Sequence, residues 1–412
     1  MEAIWYGNKM KVGVLGGGQL GRMLIQEATN LNIHLHMMDG DTAAPCAQLA
    51  HSFTCGSITD YDAVYAFGKD KDLITVEIEN VSIEALEALE NEGVKVYPQP
   101  RVLRIIRDKG LQKQFYTDQN IPTAPFAFIE NRVDLLAKAS FPIVHKLRTG
   151  GYDGKGVNIL KSEADALTSF DEPSIIENKI PFQKELSVIV ARNENGEMTT
   201  FPCVECEFNP EANLVEFLFS PADIDSNVEQ QADEIAKDII QKLDMVGLLA
   251  VEFFLTNDGS LLVNEIAPRP HNSGHHTIEI CHTSQFAQHL RAILNLPLGD
   301  TSLIQCGSMI NLVGEKGFEG PAVYSGLEEV LVIPGVYVHL YGKTHTKPFR
   351  KMGHVTVIDD DLSLAKKKAI TVKDEKLQLQ KGEIKLEEKK TVDASVQVEK
   401  LTEEPTEKES LE

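Results

Sequence analysis

The run Lys11 to Leu15 is apolar and ends on Gly16-Gly17-Gly18. Leu20, Met23, Leu24 and Ala28 then recur at helical spacing, and a second apolar stretch covers Ile33 to Met38. A strand that stops on glycines, a helix with one apolar stripe and another strand read as a parallel pair joined by a crossover helix. That unit commits the start of the chain to an open α/β sheet. The pattern continues more loosely through Leu73 to Ile78, a helix over Ile83 to Leu89 and Val94 to Tyr97, and Pro98 and Pro100 close it. Residues 16 to 21 fit G-x-G-x-x-G, and Asp39 follows at the distance of a ribose-binding acid. Taken alone the loop suggests a dinucleotide, although any phosphate suits glycines at a helix start, and so does a tight turn with no ligand.

A second constraint lies downstream. Leu248 to Leu255 and Leu261 to Ile266 are apolar strands around Thr256-Asn257-Asp258-Gly259-Ser260. If Asp258 and Gly259 form a two-residue turn, Glu252 stands opposite Glu265 on one face. Two facing carboxylates destabilise a sheet unless a proton, solvent or a cation relieves them, and a one-residue slip would part them. Magnesium takes one or two protein carboxylates and completes its shell with water and phosphates, and Asn264 offers a further oxygen.

Lys146 and Arg148 precede Thr149 to Gly156, a loop with four glycines that also holds Tyr152, Asp153 and Lys155. It is not a Walker A sequence, but it can fold over a phosphate chain; a mobile surface loop is the plainer alternative. Glu177 ends an apolar run and Glu185 follows, each able to accept from ribose or adenine. After the hairpin, Pro268-Arg269-Pro270-His271-Asn272-Ser273-Gly274-His275-His276 places a guanidinium, an amide and imidazoles beside the acidic pair, where donors can hold a developing anion. Zinc fits poorly, because no second ligand cluster has metal spacing. Cys203 and Cys206 lie in strand-like sequence and point to opposite faces.

At 412 residues the chain has room for two to three domains, and we place a boundary near residue 108. A basic helical stretch is expected over Arg101 to Gln119 and an amphipathic helix over Asn227 to Leu243. Forty lysines and arginines against 62 acids leave a net charge of −22, which argues against a nucleic-acid binder. No apolar run is long enough to span a membrane, and six scattered cysteines do not form a secreted disulfide framework, so we expect a soluble cytoplasmic protein with reduced thiols. From Thr371 the last 42 residues hold 8 lysines, 12 acids and no aromatic, so disorder is expected. The alternation of Leu377, Leu379, Ile384 and Leu386 leaves room for an edge strand.

The strings at 16–23 (GGGQLGRM), 77–81 (EIENV), 150–156 (GGYDGKG), 264–275 (NEIAPRPHNSGH) and 350–354 (RKMGH) together resemble the N5-carboxyaminoimidazole ribonucleotide synthases, a family of ATP-grasp ligases. The likeness runs from about residue 10 to 360. It implies an α/β chain, α+β in parts: an ATP-grasp fold with a Rossmann-like pre-ATP-grasp domain over 1–107, an ATP-grasp domain over 108–300 with a lid at about 121–185, and a small β-rich domain over 301–370. The implied reaction joins bicarbonate to 5-aminoimidazole ribonucleotide through carboxyphosphate, at the expense of ATP, in purine biosynthesis.

By the same matching, ATP falls to Lys109, Lys146, Gly151, Gly154, Glu177, Glu185 and Asn264, and magnesium to Glu252 and Glu265. Gln19, Glu77, Tyr152, Asp153, Lys343 and Arg350 hold the ribonucleotide, while Arg269, His271, Asn272 and Lys155 serve the chemistry. The first glycine loop then serves substrate rather than a nicotinamide cofactor. A homodimer is expected from the family. Cys203, Cys206 and the long charged tail depart from its pattern. The nearest alternative is a sibling such as the formate-using glycinamide ribonucleotide transformylase; an oxidoreductase leaves the hairpin unexplained, and a non-catalytic nucleotide sensor does not need the acidic pair.

Overall fold

The structure, a computed structural model, describes residues 4–151, 156–211, 214–373 and 378–381. It begins with β1 (Gly7–Leu15), α1 (Gln19–Asn30), β2 (Ile33–Asp39), β3 (Ser52–Cys55), α2 (Tyr61–Gly68), β4 (Leu73–Val76), α3 (Ile83–Asn91) and β5 (Lys95–Val96). The strands form a parallel sheet in the order β3-β2-β1-β4-β5, as the opening pattern requires. Val12 and Val14 face α1 on one side, while Leu15, Ile74 and Val76 face α2 and α3 on the other. Buried on both faces, these strands carry apolar runs instead of alternation.

The basic stretch is not one helix. It divides into α4 (Pro100–Arg107) and α5 (Lys109–Asp118), because Asp108 leaves helical geometry and its carboxylate caps α5, accepting from Gly110 N at 2.8 Å. Arg148 grips the same carboxylate through two bonds, Nε to Oδ1 at 2.9 Å and Nη2 to Oδ2 at 2.6 Å. There follow β6 (Phe126–Ile129), α6 (Arg132–Lys138), β7 (Ile143–Leu147), β8 (Val157–Leu160), α7 (Glu163–Leu167) and β9 (Ser174–Asn178), whose strands pair antiparallel in the order β6-β9-β7-β8.

The largest sheet is antiparallel and has nine strands. It contains β10 (Phe182–Arg192), β11 (Met198–Thr200), β12 (Val204–Asn209), β13 (Leu214–Ser220), β14 (Gly247–Thr256), β15 (Leu261–Ala267), β16 (Cys306–Val313), β18 (Val336–Leu340) and β20 (Lys351–Asp359). The order is β15-β14-β10-β12-β13-β16-β20-β18, with β11 on β10. Helix α8 (Ser226–Lys242) covers one face: Ala232, Ala236, Ile239 and Ile240 meet Leu186, Val188, Val190, Leu249, Val251 and Phe253. Burying each large side chain contributes roughly 1.5–3 kcal/mol. The other face turns polar at Glu185, Ser187 and Glu252. After the short α9 (Thr277–Ile280), α10 (Gln285–Ile293) contacts α1 on one side and β10 and β14 on the other, which ties the parallel sheet to the large one.

The chain continues through β17 (Gly320–Ser325), α11 (Leu327–Leu331), β19 (His345–Thr346), α12 (Leu362–Thr371) and β21 (Gln378–Lys381). Strand β21 pairs with β17, so an ordered strand stands within the segment where composition predicts disorder. Residues 382–412 lie outside the described residues. All six cysteines are free thiols. Among the described residues no helix is long and apolar enough to cross a membrane.

Candidate active site

Glu252 pairs directly with Glu265 across the β14–β15 ladder, but the expected turn does not produce the pairing. Near the bend Leu255 meets Leu261, Phe254 meets Leu262 and Phe253 meets Val263, one residue away from the register that a two-residue turn would set. Thr256 N donates to Ser260 O at 2.9 Å around a three-residue loop, and Gly259 supplies its left-handed position at φ +85°. A β-bulge at Asn264 then restores the register, so two one-residue shifts cancel and the carboxylates face each other. Pro122 and Thr123 cover the outer edge of β15, where Val263 N donates to Pro122 O at 2.8 Å.

Lysines crowd this pair. Lys109 Nζ lies 2.6 Å from Glu265 Oε1. From the four-stranded sheet Lys146 Nζ reaches Asn264 Oδ1 at 3.1 Å and Glu177 Oε2 at 2.9 Å, while Lys113 Nζ is 3.0 Å from Glu177 Oε1. Two buried ammonium groups thus share one buried carboxylate, an excess positive charge that an arriving anion would stabilise. Burial pushes the Lys113 ammonium below its ordinary value. Burial alone would raise Glu177, but Lys146 and Lys113 outweigh it and hold the carboxyl low.

Around the hairpin the acids diverge. Burial, aided by Glu265, pushes Glu252 up to about 7, whereas at Glu265 the Lys109 ammonium overcomes burial and holds the carboxyl low. Glu185 shares the face of Ser187, which pairs with Glu252, and burial with the Glu252 charge raises it to about 7. Facing carboxylates beside an amide oxygen form a hard-oxygen set, and each of Glu265 and Asn264 already draws a lysine ammonium. These residues fit magnesium. Among the described residues no group of three or more His, Cys, Asp or Glu side chains is arranged to hold a metal by itself, so ligand phosphates would have to complete the shell.

The first glycine loop is occupied differently from the dinucleotide reading. Glu77 accepts from Leu20 N at 3.0 Å, and a Cβ on Gly18 would come within 2.5 Å of its Oε1. The glycines therefore admit a carboxylate. Asp39 accepts from Gly17 N at 2.7 Å and Asp41 N at 2.8 Å, which spends on the loop backbone the acid that a ribose would need. A pyrophosphate beside two carboxylates would meet repulsion; a hydrogen-bond donor would not. Burial raises Glu77 to about 7, against the pull of Arg269 and the Leu20 N–H. Gln19 Oε1 accepts from Lys343 Nζ at 2.9 Å.

Between the two acidic clusters runs the 268–276 segment. Arg269 Nη2 lies 2.8 Å from Glu79 Oε1. His271 Nδ1 accepts from Ser273 N at 3.3 Å, which turns Nε2 toward Glu252 Oε1 at 3.7 Å. Gln285 clamps the His271 backbone from both sides, accepting from its N at 2.8 Å and donating to its O at 2.7 Å. Asn272 makes a reciprocal amide pair with Asn311 on β16, both bonds at 2.8 Å.

Ion pairs, hydrogen bonds and strand pairing therefore gather Lys109, Lys146, Glu177, Glu185, Glu252, Asn264, Glu265 and His271 into one cluster, while Gln19, Glu77, Arg269 and Lys343 gather at the parallel sheet. Arg350 Nη1 donates to His345 O at 2.7 Å within its own loop, and Gly151 is the last described residue before a gap. Tyr152, Asp153, Gly154 and Lys155 lie outside the described residues. Sequence reasoning missed Lys113, Glu79 and Asn311. Lys113 follows Lys109 by one helical turn, Glu79 follows Glu77 at strand spacing, and Asn311 is a lone amide in an apolar strand.

A parallel sheet joined to a lysine-bearing four-stranded sheet and a carboxylate hairpin defines an ATP-grasp enzyme. Residues 114–286 match the ATP-grasp domain, 9–107 the ribonucleotide synthetase preATP-grasp domain and 307–368 the phosphoribosylaminoimidazole carboxylase C-terminal domain. The N5-carboxyaminoimidazole ribonucleotide synthase of Synechococcus elongatus is 38% identical over 366 residues, which is 87% of this chain and 91% of that protein. The chloroplastic phosphoribosylaminoimidazole carboxylase of Vigna aconitifolia is 40% identical over 85% of this chain, which spans only 64% of that longer protein. Among solved structures, the Thermotoga maritima N5-carboxyaminoimidazole ribonucleotide synthetase has a TM-score of 0.83 at 40% identity, covering 90% of this chain and 99% of its own. An Aspergillus clavatus enzyme in complex with ADP and 5-aminoimidazole ribonucleotide has a TM-score of 0.81 at 34% identity, covering 89% and 97%. The chain belongs to the N5-carboxyaminoimidazole ribonucleotide synthase family.

Proposed function

We propose that the chain carboxylates the exocyclic amine of 5-aminoimidazole ribonucleotide, consuming ATP and bicarbonate and releasing N5-carboxyaminoimidazole ribonucleotide, ADP and phosphate. The facing pair Glu252–Glu265 beneath Lys109 and Lys146 carries this reading. ATP phosphates replace the carboxylate and amide partners of Lys109 and Lys146 and satisfy the excess positive charge of Lys113, and we assign Gly151 and Gly154 to the same phosphates. To Glu177 and Glu185 we assign the ribose and adenine. Glu252 and Glu265 would hold magnesium, which would supply charge compensation for phosphoryl transfer when bound.

A bicarbonate oxygen attacks the γ-phosphorus, the bond to ADP breaks and carboxyphosphate forms. The substrate amine then attacks the carboxyl carbon, the carbon–oxygen bond to phosphate breaks and the nitrogen gives up a proton. Arg269 and His271, with Lys155, hold the anion and shield it from water, and Asn272 fixes their segment through Asn311. Gln19, Glu77, Tyr152 and Asp153 hold the ribonucleotide, and Lys343 and Arg350 take its 5′-phosphate. We assign domains at 1–107, 108–300 and 301–370, and a cytoplasmic homodimer as the working form. The test is ADP release with bicarbonate or formate, with and without 5-aminoimidazole ribonucleotide. Release that requires bicarbonate and the ribonucleotide together supports the reading; release with formate and glycinamide ribonucleotide would replace it.

A further inference from the structure

Arg269 belongs to the segment after the hairpin, yet its guanidinium is held from the parallel sheet. Nη2 lies 2.8 Å from Glu79 Oε1, and Nη1 donates to Pro270 O at 3.0 Å. Both side chains of the ion pair are about four-fifths buried, at 18% and 21% exposure. Glu79 stands three residues past β4, two beyond Glu77, and its carbonyl accepts from Val81 N at 2.9 Å, which fixes the turn that carries it. Arg107 adds a bond from Nη1 to Val81 O at 2.8 Å, so a helix start, a turn and an arginine are locked together.

An arginine side chain has many rotamers, and a bound anion benefits only if the guanidinium edge already points at it. A charge-assisted bond to one edge removes that freedom and leaves the remaining donors aimed elsewhere. Here the holding carboxylate comes from the turn after β4, on the ribonucleotide side of the site, whereas Arg269 comes from the segment after β15, on the ATP side. We propose that Glu79 is the positioning residue for Arg269: it sets the guanidinium so that the activated carboxyl group, formed on the ATP side, lies in line with the amine presented at Glu77. The inference rests on the proposed carboxylation and names a residue that the sequence reading gave no role. Glu79 itself touches no reacting atom. Its charge keeps the anion-binding arginine oriented.

If Glu79 only stabilised the fold, its loss would lower yield or melting temperature and leave the catalytic ratios intact. A positioning role changes the coupling of the two half-reactions. The experiment measures ADP released and 5-aminoimidazole ribonucleotide consumed in parallel, on wild type, Glu79→Gln, Glu79→Ala and Glu79→Asp, with the KM for bicarbonate, the KM for ATP and thermal melting. We expect Glu79→Ala and Glu79→Gln to raise the bicarbonate KM by about tenfold, the effect of losing one charge-assisted contact. They should also release several ADP per ribonucleotide consumed, because misaligned carboxyphosphate is lost to water, while the ATP KM stays within about twofold. Glu79→Asp should recover part of the coupling. A ratio unchanged from wild type with an unchanged bicarbonate KM overturns the proposal, and Glu79→Gln, nearly the same size, supplies that answer if Glu79→Ala fails to fold. Should wild type show no ribonucleotide-dependent ADP release, the function itself falls, a result distinct from failure of the positioning role.

Discussion

The two acidic clusters use the same residue type to opposite ends. At the parallel sheet Glu77 nestles against glycines, accepts from a backbone N–H and is raised to about 7 by burial, against the opposing pull of Arg269. At the hairpin Glu265 is held low by an ammonium at 2.6 Å, and its partner Glu252 is raised. Backbone donors and an arginine already paired with Glu79 would suit a neutral donor such as an amine. Lysines massed on facing carboxylates make a site where a metal and phosphates can exchange places with them. Neighbours, more than the carboxylate itself, set what each cluster can bind.

Arg269 joins the clusters, so its removal breaks the comparison most severely. We expect Arg269→Ala to lose ribonucleotide-dependent ADP release by about a hundred- to a thousandfold, the scale of losing a preorganised charge donor, while nucleotide binding persists. Steady-state turnover beside nucleotide titration checks this. A smaller effect sharpens the contrast without touching either cluster: Asn311→Leu leaves the buried Asn272 amide without its partner, at a cost of about 1–3 kcal/mol. Denaturant unfolding should show that loss, with kcat falling more than the ATP KM changes.

The smallest effect is a pH profile. Glu77 has a folded value near 7 against an ordinary 4.5, so its contribution to stability is present below about 4.5 and is lost as pH rises through 7. Glu77→Gln should therefore flatten the decline of melting temperature between pH 5 and 8, by on the order of 1 kcal/mol once solvent screening is allowed for. An identical slope in wild type and variant would remove Glu77 from the explanation.

Periodicity made much of the architecture legible. Leu20, Met23, Leu24 and Ala28 trace α1, and Ala232, Ile239 and Ile240 trace α8, because one buried stripe dictates each spacing. Boundaries set by single polar contacts were not legible: Asp108 breaks a basic stretch into two helices only because Arg148, forty residues later, and the start of α5 both need its carboxylate. The Glu252–Glu265 pairing follows from the sequence only by cancellation, since the turn is one residue longer than its Asp-Gly suggests and the Asn264 bulge returns the difference. Asp39 shows the limit of a motif, because spacing alone does not tell whether an acid reaches a ligand or caps its own loop. Lys113, Glu79 and Asn311 owe their importance to partners 39 to 190 positions away in sequence but only 2.8 to 3.0 Å away in space, a relation that no local pattern records.

Calorimetric titration of two ligands against two variants tests the division of labour most directly. Glu265→Gln should lose affinity for magnesium and ATP and still bind 5-aminoimidazole ribonucleotide, whereas Glu77→Gln should weaken the ribonucleotide and leave magnesium and ATP in place. If either variant loses both ligands equally, or the losses are exchanged, the assignment of the hairpin to the nucleotide and the glycine loop to the amine is contradicted.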